Sequence, residues 1–200
     1  MVIIGSGGHA RSVISMALNN HIAVEGIYDD SFNNIEFKQE ILGIPLSGII
    51  SNAPLYIPSI VAIGDNKKRE YVVNYYKLCL TSLVSKDSIV SHQEVVIGNG
   101  SCILPFAYIG PNTRIGLCCI INTGAVIEHD VRIGSYCHIS IQSAIAGYVK
   151  IGNRCFIGAG ATIIDKVEIC DDVTIGAGAV VTKSIRKPGT YVGCPARCIE

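Results

Sequence analysis

The chain has 200 residues, 49% of them apolar, with 16 basic and 16 acidic side chains that leave a formal net charge of zero. With no basic stripe or tail, the composition argues against a nucleic-acid-binding or membrane-surface role. No apolar stretch approaches the length of a membrane span, because Gly, Asn or charge interrupts each one.

The length allows one large or two small domains with ample core. The start, MVIIG, is too short for a signal peptide and lacks a basic leader. The nine cysteines therefore point to a reducing cytoplasm. Cys194 and Cys198 have the wrong gap for zinc and no partner pair, so no metal is expected.

In chain order, Val2 to Ile4 reads as a strand, followed by Gly5-Ser6-Gly7-Gly8-His9-Ala10 and a helical run to about Asn19. A second strand, roughly Ala23 to Tyr28, ends in Asp29-Asp30. Such a strand–loop–helix–strand unit, with G-x-G-x-x-A at its first turn, lets backbone N–H groups approach a phosphate at a helix N-terminus. A carboxylate at the next strand end can take ribose or base donors. The glycines alone are a weak signal, since a tight turn that holds no ligand also uses them. Tyr56 to Ile63 reads as a third strand, broken by Pro58, which closes on Gly64-Asp65-Asn66. Asp65 or Asn66 would cap a helix from about Lys67 to Leu78. The region is too short for a full dinucleotide fold, so a single nucleotide suits it better than NAD.

After a linker near Cys79 to Ser91, within which Leu83, Val84, Ile89 and Val90 begin a new pattern out of register, isoleucine occupies every sixth position. It does so from Ile97 to Ile175, fourteen times running. A small or compact β-branched residue follows each isoleucine four positions later, and glycine stands directly after half of them, among them Gly98, Gly110, Gly134 and Gly176. An α-helix advances roughly 600° in six residues, so the isoleucines would form no stripe. A strand returns to the same face at every even step, yet a straight one would run roughly 280 Å at about 3.3 Å per residue. The chain must bend once per repeat, and glycine after isoleucine suits the corner. This is the pattern of a β-solenoid. Cys119, Cys137 and Cys155 stand eighteen residues apart in the same small slot, which suggests three sides per turn and a column of reduced, buried thiols.

His129 and His138 fall outside both core slots. They are either two solvated surface histidines or chemistry. Carboxylates flank His129 at Glu128 and Asp130, and one of them could orient the imidazole and raise its basicity as a general base requires. Asn122, seven residues earlier, could position a substrate. Cys118 and Cys119 lack an activating cation, so direct transfer is preferred to a covalent intermediate.

These features resemble the hexapeptide-repeat acyltransferases, which form left-handed parallel β-helices. In particular the chain resembles the branch in which a small nucleotide-sugar-binding α/β domain precedes the helix. The matching residues are Gly5-Ser6-Gly7-Gly8-His9, Tyr28-Asp29-Asp30, Ile63-Gly64-Asp65-Asn66, Asn122-Thr123-Gly124, Ile127-Glu128-His129-Asp130, His138 and Gly193-Cys194-Pro195-Ala196-Arg197. The branch includes N-acetyltransferases of nucleotide-linked 4-amino-4,6-dideoxy sugars, as in bacillosamine synthesis, and sialic acid O-acetyltransferases.

The resemblance implies a Rossmann-like α/β domain with a parallel sheet over residues 1–82 and an all-β left-handed β-helix over 83–200. It implies catalysis by His129 as base, tuned by Asp130, with Asn122 in the active site. Ser6, Gly7, Gly8 and His9 would meet the diphosphate, Asp29 and Asp30 the nucleoside, with Asn66 in the same cleft. Acetyl-CoA would meet His138, a Gly147 N–H placed as an oxyanion hole, and the backbone of Ala159 and Ala177. Family members are homotrimers with acetyl-CoA between neighbouring helices. The function so implied is acetyl-CoA-dependent N-acetylation of a nucleotide-activated amino sugar in surface glycan biosynthesis. O-acetylation of a sugar such as sialic acid is the alternative, and a non-catalytic solenoid with a nucleotide sensor is a rival of another class.

Overall fold

In the computed structural model, which describes residues 1–34 and 40–199, an α/β domain leads directly into a three-faced parallel coil. The first domain comprises β1 (Val2–Ile4), α1 (Gly8–Asn19), β2 (Gly26–Tyr28), β3 (Glu40–Ile41), β4 (Ile44–Gly48), β5 (Ser59–Val61) and α2 (Asn66–Tyr76). Its sheet runs β3-β4-β2-β1-β5, parallel except for the edge pair β3–β4.

Two strands are shorter than their sequence suggests, and the β3–β4 hairpin carries too short a pattern to be read in advance. Its two-residue turn puts both Leu42 and Gly43 at positive φ. Asp65 caps α2, its carboxylate accepting from Lys68 N at 2.7 Å, and the helix stops at Lys77 in the left-handed region. No helix among the described residues is long and apolar enough to cross a membrane.

The isoleucine ladder winds as the period requires. Each strand pairs in parallel with the strand eighteen residues on, as in Ile121↔Ile139 and Ile139↔Ile157. Three sheets result. The first face begins at Leu83–Val84 and includes Ile120–Ile121, His138–Ile139 and Phe156–Ile157. The second includes Tyr108–Ile109, Val126–Ile127 and Ala144–Ile145, and the third Arg114–Ile115, Arg132–Ile133 and Lys150–Ile151. Val84 pairs with Ile103 and Val90 with Ile109, a spacing of nineteen, so the first coil carries the one-residue slip that the sequence shows. Inside, Cys119, Cys137 and Cys155 stack as free thiols. Each donates to a backbone carbonyl of the next coil: Cys119 to Gly134 at 3.0 Å, Cys137 to Gly152 at 3.0 Å and Cys155 to Cys170 at 3.1 Å.

The corners do not lie where the glycines stand. Every sixth residue from Glu94 to Gly178, three positions after each isoleucine slot, has positive φ, and most of them, including Asn112, Asp130, Tyr136 and Tyr148, are not glycine. Left-handed backbone costs an L-residue roughly 1–2 kcal/mol. The cost is offset because the N–H at these corners donates to the coil before, nineteen residues back, as from Asp130 to Pro111 and from Tyr148 to His129. The glycine after isoleucine has another purpose. A Cβ at Gly134 would stand 2.7 Å from the Gly152 carbonyl carbon, so the absent side chain lets successive coils close to strand spacing.

The two domains share a core. Val13, Ile14 and Ala17 of α1 pack in one cluster with Leu83, Cys102, Leu104 and Ile120 of the coil's first face. Beside that cluster Arg69, only 1% exposed, reaches from α2 into the coil. Its guanidinium donates to the carbonyls of Cys118 (2.8 Å), Tyr136 (2.9 Å) and Cys137 (3.2 Å), and also to Ile63, Gly64 and the Asn66 side chain. Asn66 Nδ2 continues the row to Arg154 O at 3.1 Å and Cys155 O at 3.0 Å. Two side chains of one helical turn thus grip three successive coils.

Candidate active site

At the carboxyl ends of β1 and β5, Gly5–Gly8 and Ala62–Gly64 wall a cavity of about 610 Å³ at the point where the chain's connections leave to opposite sides of the sheet. This is where open α/β sheets bind ligands. Gly7 precedes α1 without any side-chain cap. The N–H groups of Gly7, Gly8 and His9 meet no acceptor among the described residues, and a Cβ at Gly7 or Gly8 would meet nothing within 4 Å. Open N–H groups at a helix start suit a phosphate. Lys68 and Tyr71 of α2 line the same cavity, one a cation and the other an aromatic face. The sequence offered no marker for either beyond their place on a capped helix.

The two aspartates hold the loops. Asp29 Oδ2 accepts from Ser6 N (2.7 Å) and Ser6 Oγ (2.9 Å), while Oδ1 accepts from Ser31 N (2.8 Å) and Ser31 Oγ (2.6 Å). Partial burial raises its pKa, but the bonds from Ser31 and Ser6 outweigh that and hold it below the ordinary carboxylate value. All four acceptor positions of the carboxylate are filled, so a nucleoside contact would displace one of these donors. Asp30 accepts from Ile50 N and Tyr76 Oη, both at 3.0 Å, and keeps acceptor capacity for a ligand.

Gly64 also lines a second hollow of about 510 Å³, with Asn66, His138 and Phe156. Here the two domains meet. His9, from the glycine loop, lies 6.2 Å from His138 between ring centroids, and Phe156 stands edge-on to His138 at 5.2 Å. His138 Nε2 is 3.1 Å from Asn122 Nδ2, so Asn122 faces His138 rather than His129. Among the described residues, His9 Nε2 and His138 Nδ1 are buried without a hydrogen-bond partner. Burial, then the charge of Arg69 (and, for His9, of His138), holds both imidazoles down at about 4.

The depressed pKa values carry a consequence for stability. The folded values lie below the ordinary 6.5, so the unfolded chain takes up these two protons first. Stability from the pair is complete above pH 6.5 and falls as pH drops towards 4, by up to about 1.4 kcal/mol per pH unit for each histidine. Denaturant unfolding between pH 6.5 and 4.5 should show this slope, and His9→Asn should remove about half of it. A flat profile contradicts neutral burial.

His129 and Asp130 sit apart from this hollow, at the corner between the second and third faces. His129 Nδ1 is 2.9 Å from Asp130 Oδ2. Asp130, not Glu128, is its carboxylate partner in this structure. Hydrogen bonding to His129, then to Asn112, holds the Asp130 carboxyl below its ordinary pKa. The next rung supplies Gly147 and Tyr148. Tyr148 lies edge-on to the imidazole at 5.2 Å, and the Gly147 N–H donates to no acceptor among the described residues.

A Cβ built on Gly147 would lie 2.7 Å from His129 Cε1 and 2.8 Å from Nε2. Gly147→Ala is therefore expected to turn the ring away from its carboxylate while the coil survives. A crystal structure with an unmoved ring contradicts the contact.

Ala159 and Ala177 are exposed, one coil apart at the corner between the first and second faces. The expected site residues thus form separate groups on one chain: the glycine-loop cavity, the His138–Asn122 hollow near the Ala159 corner, and the His129–Asp130–Gly147 corner across the second face. Among the described residues no cluster of three or more His, Cys, Asp or Glu could hold a metal.

Fold and site together define a hexapeptide-repeat transferase with a ligand-binding α/β domain in front. The model of the PglD N-terminal domain matches residues 1–76, and that of the bacterial transferase hexapeptide (six repeats) matches residues 148–183. PerB from Caulobacter crescentus, in complex with CoA and GDP-perosamine, is 33% identical, with a TM-score of 0.92 over 100% of this chain and 96% of that one. The acetyltransferase domain of PglB from Neisseria gonorrhoeae, in complex with acetyl coenzyme A, is 28% identical, with a TM-score of 0.91 over 99% and 98%. An uncharacterized protein of Acanthamoeba polyphaga mimivirus is 34% identical over 116 residues, 56% of this chain; the match spans about a fifth (21%) of that relative. The chain belongs to the PglD family of sugar N-acetyltransferases.

Proposed function

We propose that the protein is an acetyl-CoA-dependent N-acetyltransferase acting on the amino group of a nucleotide-linked 4-amino-4,6-dideoxy sugar, in the cytoplasmic stage of surface glycan biosynthesis. The observation that carries this reading is the His129 imidazole, backed by Asp130 at 2.9 Å and seated on Gly147. The similar Caulobacter protein holds CoA and GDP-perosamine, and the similar Neisseria domain holds acetyl coenzyme A.

The transfer is direct. The sugar amine attacks the thioester carbonyl, His129 Nε2 accepts the proton the nitrogen loses, and the Gly147 N–H donates to the oxyanion. As the tetrahedral intermediate collapses, the carbon–sulfur bond breaks and the imidazolium returns the proton to the departing CoA thiolate. A covalent route has little support. Burial pushes the Cys118 thiol up to about 11 and Cys102 up to about 12, and Cys119 is sealed in the core.

The spread of the site supports a homotrimer. One face of the coil, under about 20 Å wide at about 3.3 Å per residue, separates His129 from Ala159, Ala177 and His138 on the same chain. The His129 corner of one subunit set against the Ala159 edge of its neighbour would bring these groups together around acetyl-CoA. The face between them presents Tyr108, Val126, Ala144, Thr162 and Val180, with Glu128 at its His129 edge, as a packing surface for cyclic assembly.

The substrate assignment is tested by thermal protection. An amino-sugar nucleotide should raise Tm, by the stabilisation of about 2.7 kcal/mol that ligand at 100 times Kd gives, and the free amino sugar should not. Protection by free sialic acid, with none by any nucleotide sugar, overturns the assignment.

A further inference from the structure

The corner that carries the dyad is a column of residues eighteen apart, Glu94, Asn112, Asp130, Tyr148 and Lys166, all with positive φ. Two of them meet one imidazole directly, and a third reaches it through a carboxylate. Tyr148 packs edge-on to the His129 ring, and Asp130 Oδ2 meets Nδ1. From the coil before, Asn112 Nδ2 donates to Asp130 Oδ1 at 2.5 Å.

We propose that Asn112 is the positioning residue of this dyad: it fixes the Asp130 carboxylate from the preceding rung so that the second oxygen faces His129. The inference rests on the reading of His129 as the general base.

An exposed carboxylate beside an imidazole is free to rotate, and an unconstrained surface ion pair contributes little. A hydrogen bond at each oxygen fixes the plane. The amide is itself oriented, because Arg132 Nη1 donates to the Asn112 carbonyl and Arg132 Nη2 lies 3.4 Å from Asn112 Oδ1. The oxygen faces the guanidinium and the NH2 faces the carboxylate. A flipped amide would set donor against donor and acceptor against acceptor. Asparagine also tolerates the left-handed φ of +54° that this rung requires.

The other charged groups around the dyad are Glu128 beside it, Arg132 on the following strand, and Lys150, Lys166 and Glu168 from later coils. Among the described residues, only His129 and Asn112 hydrogen-bond the Asp130 carboxylate. Lys150 is paired instead with Glu168 at 2.8 Å.

The test uses the full chain and two variants. Asn112→Gly keeps the backbone conformation and removes the amide, while Asn112→Asp keeps the shape and adds a charge. The readout is the crystal structure of each variant, alongside kcat and KM. Asn112→Gly should leave the Asp130 carboxylate turned away from His129 Nδ1 and lower kcat about tenfold with KM little changed. Asn112→Asp, which sets an acceptor against that carboxylate, should displace it as well and lower kcat at least as far. A displaced carboxylate with the loss confined to kcat supports the positioning role, and a carboxylate that keeps its contact with Nδ1 in both variants overturns it whatever the turnover. If the carboxylate moves but His129→Gln retains full turnover, the base assignment fails while Asn112's hold on the ion pair stands.

Discussion

His129→Gln is expected to lower kcat by roughly 10²-fold or more, the usual worth of a positioned general base. KM for both substrates should change little, because on the proposed route the imidazole acts on a proton in flight rather than on the bound ground states. The ring stands on an exposed corner, its side chain 46% accessible, so the coil should be insensitive to the change. Stability within about 0.5 kcal/mol of the parent is the expectation for such a surface site. Steady-state kinetics with circular dichroism checks both halves. Near-full turnover in a folded variant removes His129 as the base, and a collapse of structure assigns it to the coil instead.

The second large effect is on the junction between domains. Arg69→Met leaves the buried carbonyls of Cys118 and Tyr136 and the part-buried carbonyls of Ile63 and Gly64 without their donor, while the Cys137 carbonyl keeps the Ile120 N–H. Each unpaired buried polar group costs about 1–3 kcal/mol, so a total loss of at least about 3 kcal/mol is expected after relaxation. Lysine is no substitute, since one ammonium cannot span carbonyls from two coils and from β5's loop at once. Because Arg69 fixes Gly64, which lines both hollows, nucleotide-sugar affinity should fall together with stability. Calorimetry should resolve the first domain melting ahead of the coil. A single transition at the parent midpoint contradicts a junction built on this side chain.

The coil was legible because burial acts on every turn in the same way. Each isoleucine points inward, and a period of six leaves one solution. Its corners were misplaced for an equally physical reason. A left-handed residue whose N–H is held by the coil before need not be glycine, so Asp130 and Tyr136 carry no compositional sign of their geometry. The glycines advertise close approach instead. In the site, His129 and Asp130 were readable because they adjoin in sequence. Asn112 was not, since its contact with Asp130 exists only through the eighteen-residue turn. The same turn places Asn122 against His138, the neighbouring rung of its own face. Arg69 was invisible because its partners are backbone carbonyls, which every residue offers. The hairpin of β3 and β4 was missed because two- and five-residue strands around Pro45 give no sustained alternation.

Thiol release from acetyl-CoA, measured with a nucleotide-linked 4-amino-4,6-dideoxy sugar and with its 4-hydroxy counterpart, tests the central claim most directly. The account predicts rapid, saturable release with the amine and release at the background rate with the alcohol. Equal turnover of both, or none with any amino-sugar nucleotide across UDP, dTDP and GDP, contradicts it.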